Sequence, residues 1–138
     1  MNERWKEYIR RYEGLRLKPY VCPTGHLTIG YGHNLDNGIA LEIAEELLQA
    51  DLSYAQMEVG KNFPWAHELD EVRQFVLIDM CFNMGLSKLL TFKKFLVALE
   101  KKNYQVAAKE MLNSHWAGQV GRRAAQLAEM MKKGAYND

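Results

Sequence analysis

Three side chains with fixed spacing stand out in this 138-residue chain: Glu13, Cys22 and Thr28, an E-x8-C-x5-T arrangement inside YEGLRLKPYVCPTGHLTIGYGH. A carboxyl group can serve as a general acid when its surroundings favour the protonated form. Acid–base chemistry at such a centre commonly asks for a second carboxylate. Here the second position holds a thiol instead. A free thiol titrates near about 8.5, so it is mostly protonated at neutral pH unless a neighbour favours the thiolate. Taken alone, Glu13 is an ordinary surface carboxylate in a last helical turn, and only its company argues otherwise.

The elements that must hold these residues can be read from periodicity. Trp5, Tyr8, Ile9 and Tyr12 recur at i, i+3, i+4 and i+7, which predicts a short amphipathic helix over 3–13 that stops at Gly14. Glu13 then falls in the last turn, on the flank of the apolar stripe and at the negative end of the helix dipole. Both surroundings make a carboxyl hold its proton more tightly. From Leu15 to His33 the helical period gives way to Tyr, Val, Thr and Ile punctuated by Gly25, Gly30 and Gly32, which predicts a small hairpin sheet with a Pro-Thr-Gly turn. Leu41 to Val59 keeps helical spacing for nearly twenty residues, long enough to join two lobes. Asp70 and Gly85 are cap residues bracketing a helix whose Phe75–Met84 part is apolar on almost every face and belongs in the middle of a bundle. Further stripes at 92–99, 104–112 and 120–131 make the C-terminal half a helical bundle.

Length fits about one domain, and 48% apolar with 25% charged residues fits a soluble globule. Cys22 and Cys81 belong to no metal-binding spacing and make no disulfide framework; Cys81, inside the apolar helix, reads as inert core. The charged N-terminus and the absence of a long apolar run predict synthesis in a cytoplasm without stable membrane insertion. A net charge of +1 conceals segregation: +3 over residues 1–20, −8 over 36–79 and +6 over 88–138. Basic ends around an acidic middle suit an anionic polymer. Nucleic acid is disfavoured as that polymer, because no recognition-helix or RNP-type pattern accompanies the charge.

The E-x8-C-x5-T triad followed by Ile29-Gly30-Tyr31-Gly32-His33 resembles the signature of the phage-type lysozymes, glycoside hydrolase family 24. The segments EGLRLKPY, LTIGYGH, LDEVRQFVLIDMCFNMG and SHWAGQVGRRA are similar to family counterparts in the same order, over nearly the whole chain. The resemblance implies an α+β lysozyme-like fold in a single domain. A small N-terminal lobe of about residues 12–60 carries the hairpin sheet and the long connecting helix. A helical C-terminal lobe of about 61–138 packs with helix 1–12. It implies an endolysin that cleaves the β-1,4 bond between N-acetylmuramic acid and N-acetylglucosamine in peptidoglycan, with no cofactor and no metal. Glu13 would protonate the leaving oxygen, while Cys22 and Thr28 occupy the positions of base and water-holder. Three outcomes stay open for Cys22: a thiolate base, a thiol that shapes the site while Thr28 positions water, or attack by the sugar's own 6-hydroxyl in a lytic transglycosylase. A non-catalytic peptidoglycan-binding module is a further alternative. Gly32, Asn34, Phe82, Asn83 and Arg123 match substrate-binding positions, with Arg123 expected to pair with Glu13. His33 is expected to hold a loop by an ion pair, and Trp116 either stacks on a sugar or lies in the core. The expected context is a monomer in a host cytoplasm that reaches the wall after release, with a holin as partner.

Overall fold

The computed structural model describes residues 1–138, and the chain forms two compact units, Met1–Leu47 and Leu48–Asp138. The fold is α+β: one small antiparallel sheet near the N-terminus and otherwise helices. No helix is long and apolar enough to cross a membrane.

In the first unit, α1 (Glu3–Glu13) starts where the Asn2 side chain accepts hydrogen bonds from the backbone N–H groups of Arg4 and Trp5. It stops at Gly14, whose φ of 70° lies outside the helical range. Strands β1 (Arg16–Val21), β2 (Leu27–Gly30) and β3 (His33–Asn34) form the sheet in the order β1-β2-β3. Tyr20 lies opposite Thr28 and Val21 opposite Leu27, whereas Arg16 lies opposite Gly30 after a register shift. Pro19, which has no N–H for the ladder, falls inside the shifted stretch. The third strand was not legible as such, because two residues carry no periodicity. The apolar stripe of α1 is exposed, and Thr28 is the one buried residue before Leu48. A unit of this size, built on three short strands, encloses almost no interior.

The second unit holds the core. The boundary between units falls within α2 (Leu41–Asn62), of which only Ala55 and Val59 are buried. A 3-10 turn, Pro64–Glu68, leads to α3 (Glu71–Met84), then α4 (Leu86–Leu89), α5 (Lys93–Glu100), α6 (Tyr104–Leu112), α7 (His115–Val120) and α8 (Arg122–Lys133). The caps of α3 are the expected ones: Asp70 accepts from the Arg73 N–H at 3.1 Å, and Gly85 closes the end with φ 84°. Val72, Val76, Leu77, Met80 and Cys81 of α3 are buried, but Phe75 and Phe82 are exposed, so the helix presents one outward side rather than being enclosed all round. Ala107 and Ala108 on α6 and Ala124 and Ala128 on α8 are buried where those two helices pack, since small side chains let their backbones approach. Phe95 and Leu99 of α5, Met111 of α6 and Met131 of α8 fill the remaining space.

Candidate active site

Glu13, Cys22, Thr28, Gly32 and Asn34 line one depression of about 270 Å³ in the first unit. The helix stop at Gly14 puts Glu13 at its edge, the β1–β2 turn supplies Cys22, and β2 supplies Thr28. The loop between β2 and β3 supplies Gly32. At Gly32, φ is +74° and a β-carbon would stand 2.5 Å from Glu13 Oε2. Only glycine meets both conditions without strain, so Gly32 is the floor on which the carboxylate rests. Glu13 is exposed, not half-buried on the flank of an apolar stripe as its position in the helix predicts, because α1 has no buried residue. Its carboxylate makes no hydrogen bond or ion pair within the first unit, where the other acids of α1 are engaged with Lys6 and Arg10.

Cys22 is partly buried and carries the strongest perturbation in the depression. The Thr24 hydroxyl lies 3.1 Å from its sulfur. Hydrogen bonding, by Thr24 first and then by the His26 backbone, brings the thiol down from 9.0 to about 6. Thr28 Oγ1 has one proton, and it is donated to the His26 carbonyl oxygen at 2.8 Å. Thr24 is therefore the main donor available to a thiolate. The other cysteine behaves oppositely: Cys81 is buried, and burial followed by the nearby Glu58 carboxylate pushes its thiol up.

Thr24, His26 and Tyr20 also line the depression, and sequence reasoning did not single them out. The signal for Thr24 was present, since a hydroxyl two residues after a cysteine in a Pro-Thr-Gly turn can reach back to it. His26 points Nδ1 at Asp36 Oδ2, 3.2 Å away. His33 does hold a loop, but through Nε2 and the Gly38 carbonyl oxygen at 2.9 Å rather than through an ion pair. Asn34 Oδ1 accepts from the Asp36 N–H at 2.9 Å and so caps the turn at Leu35–Asn37.

The other expected site residues belong to the second unit and have partners there. Arg123, expected on Glu13, donates from Nε to Asp79 Oδ2 at 3.1 Å and from Nη2 to Asp79 Oδ1; a two-pronged pair with a carboxylate on α3 engages its fork geometry. Asn83 Oδ1 accepts from the Trp116 indole N–H at 2.8 Å. Trp116 is 1% exposed, so it is core and does not present a stacking face. Phe82 is exposed and lines a separate depression of about 300 Å³ with Tyr54, Glu58 and Cys81. No group of three or more His, Cys, Asp or Glu side chains is placed to hold a metal ion.

Known proteins match this chain along its length. The pattern of the family described as Phage lysozyme matches residues 10–132. "Probable T4-type lysozyme 1" of Dictyostelium discoideum is 29% identical over 162 aligned positions, covering 96% of this chain and 95% of that protein. "Endolysin" of Acyrthosiphon pisum secondary endosymbiont phage 1 is 32% identical over 127 positions, covering 89% and 85%. "Pre-baseplate central spike protein Gp5" of Enterobacteria phage T4 is 27% identical over 157 positions, covering 93% of this chain but 27% of its own. The family match starts three residues before Glu13 and ends one short of the end of α8, so every candidate residue of both units lies inside it. The chain belongs to the phage lysozyme family and is a glycoside hydrolase whose substrate is peptidoglycan.

Proposed function

We propose that the protein is a muramidase that hydrolyses the β-1,4 bond between N-acetylmuramic acid and N-acetylglucosamine and so lyses a host cell. The observation that carries this reading is the gathering of Glu13, Cys22 and Thr28 around one depression, with hydrogen bonds that favour the thiolate. Glu13 gives its proton to the leaving glycosidic oxygen. The Cys22 thiolate accepts a proton from a water on the other side of the sugar, as the base of an inverting glycosidase does, and Thr28 helps to hold that water. With its pKa brought down to about 6 the sulfur is mostly ionised at pH 7, which suits a base at neutral pH. The thiolate favours hydrolysis over the transglycosylase alternative, which needs no base for water.

Export from the host cytoplasm through a holin lesion, and action as a monomer on the wall, complete the reading. The +6 balance of residues 88–138 supports electrostatic attachment to an anionic wall, so activity is expected to fall as ionic strength rises. The test is mass spectrometry of products from purified sacculi. Hydrolysis gives reducing ends that carry an added water. Anhydro ends would establish the transglycosylase instead, and binding of sacculi without any product would establish a binding module.

A further inference from the structure

We propose that Thr24 is a positioning residue for the reaction, its hydroxyl donating to the Cys22 sulfur and fixing the direction in which that sulfur enters the depression. The inference rests on the reading of Cys22 as base.

The turn that joins β1 to β2 leaves Thr24 little freedom. The Cys22 N–H donates to the His26 carbonyl oxygen at 2.9 Å, and the Gly25 N–H donates back to the Cys22 carbonyl oxygen at 2.8 Å. Residue 24 is held at the tip of this closed loop, two positions past the cysteine. Its β-branched side chain has few rotamers, and in the one adopted Oγ1 stands 3.1 Å from Sγ. Between two neutral groups either could donate. Once the sulfur is ionised only the hydroxyl can, and a hydrogen bond to a charged acceptor is about twice as strong as a neutral one.

The surroundings make that bond matter. Glu13 lines the same depression, and as the proton donor of the reaction it brings no positive charge to balance a thiolate there. No lysine or arginine lines the depression to offset it. His26, the one cationic candidate, has Nδ1 engaged with Asp36. Tyr20 of β1 completes the titratable groups, and the Thr28 proton goes to the His26 carbonyl oxygen. Thr24 is thus the side chain committed to the sulfur. The direction follows from the sign of the effect. Because the folded protein favours the thiolate, Cys22 should become reactive as pH rises through about 6, well below the range of a free thiol.

The experiment compares residue 24 as Thr, Val and Ser in a Cys81→Ala background. It records the rate of Cys22 alkylation by iodoacetamide against pH, and kcat and KM on sacculi against pH. Thr24→Val keeps the shape and removes the hydroxyl; it is expected to raise the midpoint of alkylation by about one pH unit. The acid limb of kcat should move by the same amount while KM stays, and Thr24→Ser should restore both. An unmoved alkylation midpoint in Thr24→Val overturns the proposal and leaves the role of Cys22 standing. A midpoint that moves while the kcat profile does not overturns the role of Cys22 as base, and the proposal with it.

Discussion

Each unit contains a glycine whose missing side chain makes room for an ionisable group, and the two groups have opposite fates. Gly32 lies under the Glu13 carboxylate; Gly134 lies under the Arg73 guanidinium, where a β-carbon would stand 2.6 Å from Nη1. Arg73 is engaged through each of its three guanidinium nitrogens. Nε donates to the Met131 carbonyl oxygen and Nη2 to that of Lys132, both at 2.7 Å, Nη1 reaches Asp70 at 3.2 Å, and the Tyr104 ring lies 3.5 Å below the guanidinium carbon. It thereby satisfies carbonyl groups that the end of α8 leaves open. Glu13 has no such partners in its unit. The same device accompanies a side chain consumed by its own unit at Arg73 and one left without a partner there at Glu13.

The sharpest way to break this contrast is to exchange the two kinds of damage. Glu13→Gln keeps the size of the side chain and removes the proton donor. Its expected cost is about 10²–10⁴ in kcat, with the melting temperature unchanged. Leu99, fully buried in α5, should do the reverse: Leu99→Ala is expected to lose about 2–5 kcal/mol of stability, with kcat preserved at temperatures where the variant is folded. Turbidity clearing of sacculi and thermal unfolding on both variants decide the matter. Substantial residual lysis in Glu13→Gln would remove Glu13 from the acid's role.

A gentler exchange uses the glycines themselves. Gly32→Ala should cost roughly 1 kcal/mol for the left-handed backbone. By pushing the carboxylate aside it should also cost roughly 10- to 100-fold in kcat. Gly134→Ala carries the same backbone penalty and weakens the Arg73 contacts, so it should lose about 1–3 kcal/mol with kcat intact. Equal effects on activity from both variants would dissolve the distinction between the two sites.

What was legible in the sequence follows the same division. The helix over Glu3–Glu13, its stop at Gly14, and α3 between Asp70 and Gly85 were readable because caps and the 3.6-residue period are local properties. The grouping of Glu13, Cys22 and Thr28 was readable from their spacing and its resemblance to a family. The exposure of Glu13 was not, because burial depends on how much interior a unit can enclose rather than on the stripe of one helix. Nor were the partners of Arg123 and Asn83, since Asp79 and Trp116 lie 44 and 33 positions away and nothing in a single sequence marks them as neighbours. Long polar side chains choose among several acceptors only once the helices are packed.

Asn83 gives the finest test, because sequence and structure assign it different work. As a substrate residue it would recognise a sugar acetamido group. Its Oδ1, however, accepts from the indole N–H of Trp116, a buried side chain that meets Phe92 edge-on in the second unit's core. Asn83→Ala leaves that N–H without its partner, at a cost of about 1 kcal/mol, softened because Asn83 is itself exposed and water can reach the vacated position. The expected outcome is a small fall in melting temperature with KM on sacculi unchanged within about twofold, a limit below the roughly tenfold change that 1.4 kcal/mol of lost binding would produce. A raised KM at unchanged stability would instead place the Asn83 amide on the sugar, and Trp116 would then be held by packing alone.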